Sequence, residues 1–293
     1  AVTLGVGIIT QNGRTEFREF IRVSTIQDVA QLLETLAPLG LAEEWDNVGL
    51  LVGDTATEVY RVMTCLTLTP DVAEEAIDKR VELIVSHHPI LFRPVQRLTA
   101  DSYDGRMLLE LIAACVAVYS PHTGYDSAKE GINQQLAELF GLCDVAPLRL
   151  LKTVDHDSAD ATSESVGSGR FGRLPEPIPL AEFNRLVKRL LHLDTLQFVG
   201  DEQAMVEGVG IACGSAAEFL PDAVRNNCQV LLTGEARFHS ALEAAGLGTN
   251  LVLVGHYASE RPAVERLAEM IAAGLPHLTV WPSESESDPL QWA

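Results

Sequence analysis

The sequence predicts an α/β protein built in two halves, with parallel or mixed sheets flanked by helices. Strand-like runs of Val, Leu and Ile alternate with amphipathic helical stretches, and the alternation occurs twice along the 293 residues. A polar stretch, residues 151–171, separates the two series; it is rich in Ser, Asp and Gly and reads as a linker. His87, His88, His122 and His256, four of the eight histidines, stand at the carboxyl ends of predicted strands. In open α/β sheets that is where ligands bind.

Residues 1–23 read as an extension: an extended, irregular lead-in with a turn at Asn12-Gly13. Residues 24–150 form the first half. Ser24 and Gln27 have capping-box spacing, and Ile26, Val29, Leu33 and Leu36 recur at helical spacing until Pro38. A loop through Trp45-Asp46-Asn47 leads to a short apolar run ending at Gly53. Strands are predicted over 59–68, 81–86 and 116–120, and helices over 71–79, 104–114 and 131–140, with Gly141 as a helix stop.

Residues 172–293 form the second half. It opens with an irregular turn at Gly172–Pro177, followed by a helix over 180–191 and a short extended run over 196–199. Strands over 206–212, 229–232 and 251–254 then alternate with helices over 216–226, interrupted by Pro221, and 238–245. The last helix is predicted over 263–273, with Pro262 in its first turn. The tail Ser283–Asp288 reads as frayed.

With 41 acidic against 21 basic residues the net charge is −20, and no Lys/Arg cluster offers a footprint for a phosphate backbone. Nucleic acid is therefore not expected as a partner. The five cysteines form no CxxC pair, which argues for reduced thiols in a cytoplasmic setting rather than a disulfide framework or a thiolate zinc site. The apolar run near Leu111–Tyr119 is too short to span a bilayer, and no basic stretch followed by an apolar one marks a secretory leader.

The chemistry collects at four strand ends: Ser86-His87-His88-Pro89, Ser120-Pro121-His122 through Asp126, Thr233-Gly234-Glu235, and Gly255-His256 through Glu260. His122 with Asp126 and His256 with Glu260 share a face if the intervening residues are helical; in a loop the close spacing still allows convergence. Imidazole and carboxylate donors suit Zn, Mn, Fe or Co. Five or more such donors exceed what one tetrahedral ion needs, so two ions are expected. If strand geometry continues through His87 and His88, their side chains point oppositely and reach different ions.

Five stretches resemble the signature of the Nif-three-like family, whose members carry the label GTP cyclohydrolase 1 type 2 homologue. They are Trp45-Asp46-Asn47-Val48-Gly49-Leu50, Ser86-His87-His88-Pro89, His122-Thr123-Gly124-Tyr125-Asp126, Thr233-Gly234-Glu235 and Gly255-His256-Tyr257-Ala258-Ser259-Glu260. The likeness runs from about Thr25 to Leu275. It implies a two-lobed fold with a dinuclear site between the lobes, and as metal ligands His87, His88, Asp126, His256 and Glu260. It also implies a toroidal homohexamer, and it places His122 beside the metals. Cys213-Gly214-Ser215-Ala216 carries less glycine than the family's turn, which weakens any phosphate-cradling role there.

The expected function is metal-dependent hydrolysis of a small-molecule substrate, with nucleotides and other phosphorylated compounds as candidates. Two divalent ions would lower the pKa of a bridging water, and His122 would shuttle a proton. The alternative is a non-catalytic metal-binding scaffold acting through oligomerisation. Asp46 and Asn47 stand between substrate contact and turn capping, Glu235 between the site and a helix start, and Arg93 and Arg97 between anion binding and surface pairing.

Overall fold

A computed structural model describes residues 5–11, 14–20, 23–151 and 166–291. Strands β1 (Gly5–Gln11) and β2 (Arg14–Phe20) come first, then α1 (Ile26–Leu36), β3 (Gly49–Val52), β4 (Arg61–Cys65), α2 (Pro70–Asp78), β5 (Leu83–Ser86) and α3 (Tyr103–Ala113). Next are β6 (Ala117–Ser120), α4 (His122–Ser127), α5 (Ile132–Leu139), β7 (Cys143–Ala146) and β8 (Arg149–Leu150). Past residues 152–165 come β9 (Gly167–Ser168), β10 (Arg170–Pro179), α6 (Leu180–Leu190), β11 (Gln197–Val199), β12 (Met205–Ala212) and α7 (Leu220–Arg225). The chain ends with β13 (Val230–Thr233), α8 (Phe238–Leu247), β14 (Asn250–Leu253), α9 (His256–Gly274) and β15 (Thr279–Pro282).

Two mixed sheets carry the fold. One has the order β15-β4-β5-β6-β3, parallel except for β3; the other has the order β11-β14-β13-β12-β10-β7, parallel only across β12, β13 and β14. The chain crosses between them: β7 pairs into the second sheet, and β15 returns to the first.

Alternation along the strands sets the layers. Val62, Leu83 and Val85 face one side, where they join Val209, Ile211, Val230 and Leu232 of the second sheet and the apolar faces of α1, α5, α6 and α9 in one cluster. Met63, Ile84 and Val118 face the other side and pack on α2 and α3. On the far face of the second sheet, Leu231 and Leu251 pack with Leu220 and Ala223 of α7 and Ala244 of α8. The two sheets thus share a central core, and the carboxyl ends of β5, β6 and β14 lead to the same place.

Several expectations change. The lead-in is a hairpin of β1 and β2 rather than irregular chain; the Asn12-Gly13 turn lies outside the described residues, as does most of the linker, residues 152–165. The capping box on α1 is one residue later than expected, Thr25 with Asp28, because Ser24 turns its hydroxyl to His277 Nε2 at 2.7 Å. The turn at Gly172–Pro177 is part of β10, whose register with β12 shifts between Arg173 and Ile178, where Pro175 and Pro177 need no ladder partner. Helix α9 begins at His256, seven residues before its predicted start, and runs through Pro262.

Candidate metal centre

Strand β5 is buried throughout and hydrogen-bonded between β4 and β6, so the chain leaves the sheet at Ser86. Four backbone bonds then fix the histidine pair. His87 N–H donates to Cys65 O (2.9 Å) and His88 N–H to Leu66 O (2.8 Å). Ser120 Oγ donates to His87 O (2.7 Å), and Ser86 Oγ to His88 O (2.8 Å). Because the strand stops before the pair, its alternation does not continue. The two rings lie with centroids 5.1 Å apart rather than on opposite sides.

His87 is 1% exposed, and among the described residues neither of its ring nitrogens has a hydrogen-bond partner. Its Nε2 lies 3.5 Å from Asp126 Oδ1 and 4.0 Å from Glu260 Oε2. Burial pushes its pKa well below the usual imidazole value, so the ring is neutral. His88 is held at Nδ1 by Thr67 Oγ1 (2.7 Å), which leaves Nε2 facing Glu260 Oε2 at 3.0 Å.

Helix α4 settles the question left open by spacing, since His122 and Asp126 lie on one short helix. His122 sits at a φ of +29°, a strained conformation for a non-glycine residue. Asp46 holds it there: both carboxylate oxygens lie 2.8 Å from His122 Nδ1, and one also accepts from Thr123 Oγ1. Burial alone would raise the Asp46 pKa, but the hydrogen bonds from His122 and Thr123 outweigh it and hold the group at about 2. Burial would conversely lower His122, but the bond to Asp46 and the charges of Asp126, Asp46 and Glu260 raise it. Asp46 is therefore the partner of His122, a role neither sequence reading gave it; the motif Trp45-Asp46-Asn47 marked the stretch without showing the contact.

Helix α9 brings in the second sheet. Gly255, at a φ of +91°, turns the chain from β14 into the helix. His256 and Glu260 are one turn apart, with Nε2 and Oε2 at 3.1 Å. The same oxygen meets His88, and His256 Nε2 lies 3.3 Å from His88 Nε2. Glu235 takes the other side of His256, its Oε1 at 3.0 Å from Nδ1. The bond to Glu260 raises the His256 pKa to about 9. Burial works to raise Glu260, but bonds from His256 and His88 bring it below the usual carboxylate range. Asp126 is the reverse case: burial and the Glu260 charge push it up to about 7. Its Oδ1 accepts from Cys213 Sγ at 3.3 Å.

Among the described residues, atoms able to ligate a metal form two overlapping groups, each within 4.8 Å: His87, His88 and His122, and His88, His256 and Glu260. Asp126 stands beside the first through His87. All six residues predicted for the site are thus brought together. Five of them line a cleft of about 530 Å³ or sit at its floor, with Trp45 and Phe92 edge-on to each other and to His122 at the rim. The loop after β12 closes one wall. Gly214 has a φ of +66°, and a Cβ there would lie 2.3 Å from Glu260 Oε1. Arg93 and Arg97 are exposed and outside the cleft lining; Arg149, stacked over Phe219 at 4.1 Å, is the lining guanidinium.

A family model described as Duf34/NIF3 (NGG1p interacting factor 3) matches residues 24–289. A Clostridium perfringens protein named GTP cyclohydrolase 1 type 2 homolog is 32% identical over 246 residues, 84% of this chain and 90% of its own. A Drosophila melanogaster NIF3-like protein 1 is 29% identical over 266 residues, 89% of this chain and 87% of its own. The crystal structure of a Bacillus cereus protein related to NIF3 superposes with a TM-score of 0.85 over 93% of this chain and 100% of its own; at 21% identity it speaks for the fold.

Proposed function

The chain belongs to the Duf34/NIF3 family, and we propose that it works as a divalent-metal-dependent hydrolase on a small molecule bound in the cleft. The observation that carries this reading is His87. Among the described residues its buried imidazole has no hydrogen-bond partner for either nitrogen, yet it lies among three other imidazoles and two carboxylates. An unsatisfied buried polar group costs roughly 1–3 kcal/mol, and a bound cation would remove that cost.

The donors fit two ions of the Zn, Mn, Fe or Co kind, held by His87, His88, Asp126, His256 and Glu260. When bound, such ions supply Lewis acidity to a substrate oxygen and acidify water. The protein's own residues do the rest. Glu235 and Thr67 orient His256 and His88 through their Nδ1 atoms. Asp46 occupies Nδ1 of His122 and leaves Nε2 for proton exchange. Because the His122 pKa is raised, this ring enters as the acid that protonates a leaving group. Trp45 and Phe92 offer apolar surface to a planar substrate at the rim. The five unpaired thiols fit a cytoplasmic setting, and the toroidal hexamer belongs to the same reading, to be checked by light scattering.

Elemental analysis of purified protein tests the site. We expect about two metals per chain, reduced in His87→Ala and Glu260→Ala; less than one metal, unchanged in both variants, refutes it. Turnover tests the chemistry: metal-replete protein is screened on nucleotides, phosphoesters and cyclic amides, and His122→Ala should slow any hydrolysis found. A second reading, a metal-binding scaffold, draws on the interaction named in the family's description. Stoichiometric metal without turnover on any of these substrates would favour it.

A further inference from the structure

The tail after β15, expected to fray, is pinned at two points. Glu75 of α2 accepts from Ser283 Oγ (2.6 Å), Ser285 N–H (2.9 Å) and Glu284 N–H (3.1 Å). Three residues on, the tail returns a carboxylate of its own. Glu286 accepts from Leu66 N–H (2.9 Å) and Thr67 N–H (2.6 Å), just past the end of β4, and pairs with Arg261 Nε at 3.0 Å. Its side chain is 3% exposed, although Ser285 and Ser287 on either side are open to solvent.

The residues that Glu286 grips are the ones that hold His88. Leu66 O accepts the His88 amide at 2.8 Å, and Thr67 Oγ1 lies 2.7 Å from His88 Nδ1. With Nδ1 engaged, His88 presents Nε2 to Glu260 Oε2 and His256 Nε2. Arg261, the third partner of Glu286, directly follows Glu260 in the chain. One buried carboxylate therefore touches both supports of the His88–Glu260 contact.

We infer that Glu286 is a positioning residue of the metal centre: the C-terminal tail fixes Thr67, and through Thr67 the direction of the His88 ring. The inference rests on the metal reading above, but part of it concerns the metal-free protein alone. A ring whose Nδ1 is bonded to a fixed hydroxyl keeps Nε2 aimed at the site, where it donates to Glu260 in the metal-free protein and would offer its lone pair to an ion; loss of such outer partners typically weakens metal binding about 10–100-fold. Bonds from two amides and the ion pair with the Arg261 guanidinium make a carboxylate, rather than an amide, the group suited to the position.

The test uses the full chain and four variants: Glu286→Ala, Thr67→Val, Thr67→Ser and the control Glu284→Ala, whose exposed carboxylate pairs with Lys79. Zinc affinity is measured by chelator competition. The ring ¹⁵N signals of His88 are read from long-range ¹H–¹⁵N spectra of the metal-free protein. We expect Glu286→Ala and Thr67→Val each to weaken zinc binding at least tenfold and to shift the His88 ring ¹⁵N signals, Nδ1 above all, as its bond to Thr67 is lost. Thr67→Ser and Glu284→Ala should stay within about twofold of the wild type. The double variant Glu286→Ala/Thr67→Val should be little worse than either single one, since both act through one hydrogen bond. The inference is overturned if Glu286→Ala lowers thermal stability while zinc affinity and the His88 spectrum stay as in the wild type, or if the two losses multiply. Should Glu286→Ala not fold, Thr67→Val decides by the same readouts. Should the wild type bind no zinc, the metal reading fails, and the His88 spectrum still decides whether the tail positions the ring.

Discussion

The sharpest test of the site's geometry is Gly214→Ala, because two costs at that position can be separated. The first is backbone strain. Gly214 has a φ of +66°, and an L-residue in the left-handed region costs roughly 1–2 kcal/mol. Gly248, which ends α8 at a φ of +69°, has the same conformation and nothing within 4 Å of an added Cβ. Gly248→Ala therefore measures strain alone. The second cost is steric. At Gly214 the new methyl would lie 2.3 Å from Glu260 Oε1 and 3.4 Å from His256 Nε2. Glu260 is buried and held by His88 and His256, so it cannot swing into solvent to make room. Displacing it forfeits at least one hydrogen bond to a charged group, about 1.5–3 kcal/mol. Gly214→Ala should then cost about 3–5 kcal/mol in urea unfolding of the metal-free protein, against about 1–2 for Gly248→Ala. Zinc affinity should fall at least tenfold in the first and stay unchanged in the second. Equal stability losses with equal zinc affinity would refute the seating of Glu260 against Gly214.

Other perturbations probe other parts of the molecule. Glu75 is buried, which would raise its pKa, but hydrogen bonds from Ser283, Ser285 and Lys79 hold it at about 2. A depressed carboxylate stabilises the fold above its unfolded pKa of 4.5 and loses that contribution as pH falls toward about 2. Glu75→Gln should therefore lower stability by up to about 3 kcal/mol at pH 7 and by much less near pH 2.5, measured by urea unfolding; a gap constant with pH would contradict this. Asp46→Asn removes the partner that raises His122, so the His122 pKa should drop in NMR titration of the metal-free protein, and an unchanged or higher value would contradict the assignment. In the same protein His87→Ala should be tolerated in stability better than most buried substitutions, because the ring nitrogens it removes have no partners to strand; a loss above about 4 kcal/mol would speak against that accounting.

The sequence made most of the fold legible because both sheets obey simple patterns. Runs such as Leu83–Ser86 and Val230–Thr233 are short, apolar and bounded by turn residues, as buried parallel strands require. The failures are the places where tertiary contact overrules local signals. Pro262 reads as a helix start, yet α9 begins at His256, where Gly255 and the contact with Glu235 fix the turn. Ser283–Asp288 reads as frayed because nothing local orders it; its partners, Glu75 and the Leu66 and Thr67 amides, lie more than 200 residues away. The site's histidines and carboxylates were legible from residue type and placement at strand ends. The supports of the site, Asp46, Thr67 and Gly214, were not, because a threonine or an aspartate in a loop carries no mark of the ring it holds.

The alternative to metal is a cluster that satisfies itself as an ion-pair network. Glu260 with His88 and His256 does so: bonds from both rings hold its carboxyl below the usual range, and the carboxylate raises His256. Asp46 with His122 does so as well. A network evolved for stability alone would extend the same arrangement inward. Instead the innermost ring, His87, is kept neutral by burial and bonded to nothing, and Asp126 beside it has its pKa pushed up to about 7. Burying an unpaired imidazole against a carboxylate that resists ionisation is a poor way to stabilise a fold. It is the arrangement expected where a positive charge belongs between His87 and Asp126, which would ionise the carboxylate and engage the lone pair together. The prediction that follows is directional: zinc should raise the unfolding temperature of the wild type and raise it clearly less in His87→Ala and Asp126→Asn. An equal zinc-induced rise in all three proteins would place any bound ion elsewhere and return the cluster to a self-contained network.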